Sequence, residues 1–333
     1  MSDNFVLTDH NLGLDLMRAT EAAALSAGRW AGRGDKESGD GAAVAALRRI
    51  LNEVRMDGTI VIGEGEKDEA PMLANGERVG TGEGPRVDIA VDPVDGTRLL
   101  AWGARDSIAV LAAADGGTMY DPYMCFYMDK LVVGADAADV IDLDAPIAEN
   151  IRQVARAKGK DVAEIIVAVQ NRERHADLAR EVREAGARTR IFTDGDVACA
   201  VQAASPDMAI DILVGRGGSP EGVVTAVAMK CLGGRILARL HPTTDEQRER
   251  TIAAGFDPAR VLDTNDLVSG DNCVFVATGI TDGDLLPGVR YLPGGGARTD
   301  SVVMRSISGT RRYVQAFHQL EKVADYARRT GEG

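Results

Sequence analysis

Val87-Asp88-Ile89-Ala90-Val91-Asp92-Pro93-Val94-Asp95-Gly96-Thr97 passes from a strand into a turn and a helix start with no linker between them. The first five residues are mostly apolar and β-branched, the composition of a buried strand. The remaining six hold two carboxylates three residues apart, across a turn begun by a proline. Placed that way, Asp92 and Asp95 can converge on one side of the chain, and their oxygens suit a hard divalent cation such as Mg²⁺ or Mn²⁺. Gly96 lets a phosphate approach the backbone, and the N–H groups of a helix beginning there would hold it. Thr97 adds a hydroxyl in the first turn, close enough to orient a water. The plainer alternative is that Asp95 caps a helix and Asp92 is an ordinary turn residue.

Two flanking segments repeat this chemistry. Residues 59–62 form a short apolar strand ending in Gly63-Glu64-Gly65-Glu66-Lys67-Asp68-Glu69. Acids this crowded repel one another unless some bind cations or face solvent. Glu64, nearest the strand, is the best ligand, whereas Glu66, Asp68 and Glu69 are expected to be solvated or to stand behind it. Upstream, Asp35-Lys36-Glu37-Ser38-Gly39-Asp40-Gly41 precedes a helix expected over residues 42–54. Asp40 is framed by glycines as Glu64 is, and otherwise reads as a helix cap. Lys36 can balance a leaving phosphate or an attacking water, or can be a surface lysine.

Further out, a helix is expected over residues 12–31 and strands over 107–113 and 130–133. The second half alternates strands (164–169, 190–192, 210–214) with helices (174–185 and one running to 231), the α/β signature. Asp142, Asp144 and Pro146 interrupt the pattern. That places a metal-binding phosphatase domain over residues 1–155 and an α/β sugar-phosphate domain over 156–333. Asn171-Arg172-Glu173-Arg174 and Thr193-Asp194-Gly195-Asp196 follow successive strands and should share one sheet edge, where ligands bind. Arg172 and Arg174 can grip a phosphate remote from the reacting one, and Asp194 and Asp196 can accept hydrogen bonds from sugar hydroxyls. An Arg–Asp ion-pair network is the alternative. In the loop Gly215-Arg216-Gly217-Gly218-Ser219-Pro220-Glu221-Gly222, Glu221 either reaches a metal or caps the next helix. Tyr127 offers a hydroxyl to phosphate or sits in the core. Trp30 and Trp102 are expected to pack, and His10, His175, His241 and His318 to be surface or structural.

Composition narrows the function. The chain has 333 residues, 45% hydrophobic and 27% charged, the balance of a soluble globular protein. No apolar run is long enough for a membrane span, and Asp3, Asp9 and His10 argue against a secretory signal. The four cysteines are scattered singly, which suits reduced thiols in the cytoplasm. A net charge of -13 repels nucleic acid and anionic lipid. It would also repel a phosphate ester unless carboxylates hold cations locally. Neither a GxxxxGK[ST] loop nor a cysteine phosphoenzyme motif is present, which weakens kinase and NTPase readings.

Taken in order, residues 35–40, 63–66, 92–97, Tyr127-Met128-Asp129-Lys130-Leu131 and 217–222 resemble the class II fructose-1,6-bisphosphatases, including bacterial forms that also act on sedoheptulose 1,7-bisphosphate. The resemblance implies a mixed α/β and α+β fold, layered α-β-α-β-α, in two domains, assembling as a homodimer or homotetramer. It also implies metal-dependent removal of the 1-phosphate to leave fructose 6-phosphate. Asp40, Glu64, Asp92 and Glu221 correspond to metal ligands, and Thr97, Asp95 and Lys36 to catalytic groups. Asp95, Gly96, Thr97, Tyr127, Arg172, Glu173, Arg174, Asp194, Gly195, Asp196 and Gly218 correspond to substrate contacts. Some members carry glutamate where this chain has Asp95, so its reach is shorter by a methylene. An inositol monophosphatase-like enzyme would share the acidic site but lack a second phosphate grip. A non-catalytic metal- or nucleotide-binding regulator would lack the common geometry.

Overall fold

The computed structural model describes residues 12–64, 66–67, 70–71, 73–122 and 125–322. Helices α1 (Leu12–Ala27) and α2 (Lys36–Leu51) precede β1 (Asp57–Ile62), the two-residue strands β2 (Glu66–Lys67) and β3 (Ala70–Pro71), and β4 (Arg78–Val79). Then come β5 (Arg86–Asp95), α3 (Thr97–Trp102), β6 (Ile108–Asp115), β7 (Tyr127–Val133) and α4 (Ile147–Lys158). They are followed by β8 (Ile166–Gln170), α5 (Ala176–Glu184), β9 (Arg188–Phe192), α6 (Val197–Ala204), β10 (Ile212–Gly218) and α7 (Ser219–Leu232). Next are β11 (Arg235–Leu240), α8 (Asp245–Ala253), β12 (Leu262–Asp263) and α9 (Thr264–Leu267). Last are β13 (Val274–Gly279), β14 (Arg290–Leu292), β15 (Gly296–Arg305) and β16 (Thr310–Gln319).

The strands form two main sheets. The first runs β14-β15-β13-β6-β5-β1-β4, with β16 on the outer edge of β15, and the second runs β12-β11-β7-β10-β8-β9. Their central strands β5, β6, β7 and β13 are buried on both faces and read as nearly continuous hydrophobic runs, whereas β9, β14 and β16 at the edges are largely exposed. Side chains alternate across a strand. In β6, Ala109, Leu111 and Ala113 join a core with α1 and α2, while Ile108, Val110 and Ala112 join a second core with α6 and α7. That second core also takes Met128, Val132 and Leu213 from the second sheet, whose other face packs Leu131, Val133 and Ile212 against α4 and α5. The order of layers is therefore α-β-α-β-α, as the resemblance implies.

Sheet membership does not follow a cut at residue 155. β7 lies before that point and belongs to the second sheet, whereas β13 to β16 come after it and complete the first.

Several element ends differ from the sequence expectation for physical reasons. α1 stops at Ala27 because Gly28 admits Tyr291, whose hydroxyl lies 2.9 Å from where a Cβ would stand. That hydroxyl donates to the Leu25 carbonyl at 2.8 Å, satisfying a helix-end acceptor. α2 starts at Lys36 rather than at residue 42, because Asp35 caps it by accepting from the Ser38 N–H at 3.0 Å. β5 runs on through Asp95 instead of ending before Asp92, and β10 runs through Gly218 instead of opening into a loop at Gly215. Among the described residues no helix is long and apolar enough to cross a membrane.

Candidate active site

A cavity of about 760 Å³ opens where the two sheets present their ends to each other. Lys36 and Asp40 reach it from the first turns of α2, one helical turn apart and hence on the same side. Glu64 follows β1, Asp92 and Asp95 end β5, Gly96 and Thr97 open α3, and Tyr127 begins β7. Arg172 and Arg174 come from the turn after β8; Asp194, Gly195 and Asp196 come from the turn after β9. Gly218 ends β10 and Glu221 lies in the first turn of α7. Strands β8, β9 and β10 are mutually parallel, so their C-terminal ends do share one edge.

Two carboxylates three residues apart on a regular strand would point to opposite faces. Here β5 carries a bulge: Asp92 pairs with Val110 and Asp95 with Ile108, so three steps on β5 match two on β6. The extra residue turns both side chains onto the cavity. Asp92 Oδ1 also accepts from the Val94 N–H at 3.0 Å, which fixes the turn.

The carboxylates are crowded in a buried place. Burial, followed by the charges of Asp95, Glu221 and Glu64, pushes the Asp92 carboxyl well above the usual range. Asp95 is raised in the same way, by burial and then by Asp196, Glu221 and Asp194, with Lys130 opposing. Burial raises Glu221 too, and Lys130 again opposes. Asp95 Oδ2, Asp196 Oδ1 and Glu221 Oε2 are buried and accept no hydrogen bond from the protein. Buried oxygens of this kind are costly unless something positive meets them. Such an all-oxygen set fits hard divalent cations. Among the described residues, no three of these side chains already stand close enough together to enclose one ion.

Glycines allow the crowding. A Cβ at Gly218 would lie 1.7 Å from Glu221 Oε2, and one at Gly217 would lie 2.3 Å from Asp196 Oδ2. Gly195, with φ +66, presses on the Asp95 carboxylate, its absent Cβ only 3.1 Å from both oxygens.

The Arg–Asp pairs left as an alternative by the sequence are present, and they sit in the cavity wall. Asp194 accepts from Arg172 at 2.9 Å and from the Arg98 guanidinium at 3.3 Å, tying α3 to the second sheet. Lys130, buried in β7, donates to Asp196 Oδ2 at 2.6 Å and to the Gly218 carbonyl at 2.9 Å. Arg174 lies over the Tyr127 ring at 5.6 Å, and Tyr127 is half-exposed on the cavity rather than in the core.

Not every expected residue arrives there. Glu173 is exposed in a short 3₁₀ turn and is not on the cavity wall. Trp102, expected to pack, is 64% exposed. His175, His241 and His318 lie off the cavity, while His10, Gly65, Asp68 and Glu69 fall outside the described residues. The four cysteines are free and buried. Arg98, Gln170, Glu37, Gly41 and Gly217 line the cavity without having been expected, and Lys130 stands behind it. Lys130 had a signal: it shares its strand face with Met128 and Val132, where a lysine needs a buried partner.

Comparison with known proteins identifies relatives over nearly the whole chain. Residues 10–318 match the family described as bacterial fructose-1,6-bisphosphatase, glpX-encoded. The chain is 45% identical over 325 residues to fructose-1,6-bisphosphatase 1 class 2 of Escherichia coli (strain K12), covering 93% of this chain and 96% of that protein. The class 2 fructose-1,6-bisphosphatases of Escherichia coli O6:H1 and Shigella flexneri match with the same identity and coverage.

Proposed function

This chain belongs to the bacterial fructose-1,6-bisphosphatase family, and from that premise we propose how its cavity divides the work. It is a phosphoric monoester hydrolase that converts fructose 1,6-bisphosphate and water into fructose 6-phosphate and inorganic phosphate. Asp40, Glu64, Asp92 and Glu221 would hold divalent cations, Mn²⁺ or Mg²⁺, whose bound charge offsets the crowded carboxylates and draws density from phosphate oxygens. Thr97 holds the attacking water by its hydroxyl, at the start of α3 and beside the Gly96 backbone. Lys36, one turn before Asp40, supplies a positive charge to the departing phosphate. Asp95, buried beside Asp196 and Glu221, reaches the reacting phosphate through a water.

The sugar end belongs to the second sheet. Arg172 and Arg174 hold the phosphate that stays, because paired guanidinium forks match its oxygens. Tyr127, Asp194, Gly195, Asp196 and Gly218 frame the sugar between the two phosphates. The observation that carries this reading is that one cavity gathers carboxylates from both sheets and, after β8, the guanidinium groups of Arg172 and Arg174. A monophosphatase site would need only the carboxylates. The cavity volume also suits sedoheptulose 1,7-bisphosphate, one carbon longer, and we include it as a second substrate. The same reading places the enzyme in the cytoplasm as a homodimer or homotetramer, which light scattering on purified protein would count.

The test is phosphate release from both bisphosphates by chelated enzyme, with Mn²⁺ and Mg²⁺ then restored separately. We expect no release after chelation and recovery with one or both ions. Full release by the stripped protein would remove the cation role of the carboxylates, and none under any condition would remove the substrate assignment.

A further inference from the structure

β8 and β10 begin as parallel neighbours and then part. Their ladder holds only at Ile212↔Val167 and Leu213↔Ala168. Yet β8 stays paired with β9 as far as Gln170↔Phe192, and β10 stays paired with β7 as far as Gly218↔Tyr127. Both strands therefore continue towards the cavity with a gap between them, and the ring of His175 fills it. His175 is 4% exposed. Its Nε2 lies 2.8 Å from the backbone nitrogen of Arg216, on β10, and its Nδ1 lies 3.0 Å from the carbonyl oxygen of Gln170, on β8. A backbone N–H can only donate, so Nε2 is the acceptor and Nδ1 carries the proton that Gln170 receives. The space left beside the ring is about 10 Å³, barely room for one water.

Two further features fit the ring into this place. Gly215, with φ +144, brings its backbone so close that a Cβ there would meet the ring at 3.2 Å. Arg174, next in sequence, spans the same gap by donating to the Arg216 carbonyl at 2.8 Å. What lies on either side of the gap matters for binding: Arg172 and Arg174 follow β8, while Gly217 and Gly218 end β10 and Glu221 comes just after it.

We infer that His175 is a positioning residue which sets the distance between the guanidinium grip on the retained phosphate and the glycine-rich wall that carries Glu221. The inference rests on the assignment of Arg172 and Arg174 to that phosphate. His175 touches no substrate in this scheme; it acts by holding two strand ends apart in one register. Its removal should therefore weaken ligands that use the distal grip and spare those that do not.

The experiment compares product inhibition by fructose 6-phosphate, which carries only the retained phosphate, with inhibition by inorganic phosphate. His175→Phe keeps a ring in place and removes both nitrogens, leaving the Arg216 N–H unpaired and the Gln170 carbonyl with only the Arg172 N–H at 2.9 Å. We expect the inhibition constant of fructose 6-phosphate and the KM of the bisphosphate to rise about tenfold, with kcat and the phosphate constant within about threefold of the parent. His175→Gln, which offers one donor and one acceptor, should recover most of the loss. Should the Phe variant not fold, His175→Asn carries the same expectation, since it cannot reach the Arg216 N–H. Unchanged fructose 6-phosphate inhibition, or equal loss for both products, overturns the inference. Arg174→Ala is the control: no change in fructose 6-phosphate inhibition there would defeat the phosphate assignment itself, whatever His175 does.

Discussion

Thr97 and Gly218 illustrate two ways a single residue can matter in this cavity. Thr97, to which we assign the attacking water, is the first residue of a short helix and lines the cavity. Thr97→Ala should leave the unfolding transition in place and lower turnover at least about a hundredfold, the scale of losing a positioned catalytic group; turnover near the parent value would take Thr97 out of the mechanism. Gly218 has no reactive group and matters by what it lacks. A methyl there would collide with the carboxylate of Glu221, the far end of a side chain that can swing aside. Gly218→Ala is therefore expected to keep its thermal stability while Mn²⁺ binding, followed by calorimetry without substrate, weakens at least about tenfold. Unaltered binding would mean that Glu221 is a helix-start carboxylate only.

At the scale of elements, α1 against the first sheet shows how burial is tolerated. Burial pushes Glu21 up to about 7, while the Thr299 hydroxyl and Arg18 pull the other way. The folded protein thus keeps a proton that the unfolded chain releases near pH 4.5, so this contribution to stability falls as pH rises from there through about 7. Glu21→Gln should raise the free energy of unfolding at pH 8 by on the order of 2–3 kcal/mol and change little at pH 4, read by denaturant titration. An identical pH dependence in the variant would refute the placement of that proton. Elements also mark what could be read from sequence. The passage from β5 into α3 was legible, though not the residue at which β5 ends, because strand, turn and helix start are local events written in adjacent residues. The start of α2 was not, because Gly39 and Gly41 argue against a helix by propensity. Gly39 is helical for a tertiary reason: a Cβ there would stand 2.7 Å from Leu100 and 3.1 Å from Trp30, so its absence lets α2 lie close to its neighbours. The bulge at Asp92–Asp95 was equally hidden, since a one-residue slip leaves no mark on composition. Lys130 and Arg98 stayed out of the site for want of partners, which come from β9 and its turn far along the chain.

For the whole molecule, the layered order could be inferred from the family resemblance, but the pairing of its sheets could not be inferred from a linear cut. Strand β6 has buried side chains on both faces, and its partner on one edge, β13, comes from the far end of the sequence, after the entire second sheet. Proteins are made from the N-terminus, so a ribosome-bound chain must hold that apolar edge open until the final strands have left the exit tunnel. Bare strand edges of this kind recruit other chains. A chain terminated after Cys273 should accordingly go to inclusion bodies when expressed, while the full-length chain remains in the supernatant; equal recovery of both would show that the first sheet closes without its last strands. The nascent enzyme is thus committed to completing synthesis before it can protect itself, a window in which chaperone capture would be most useful.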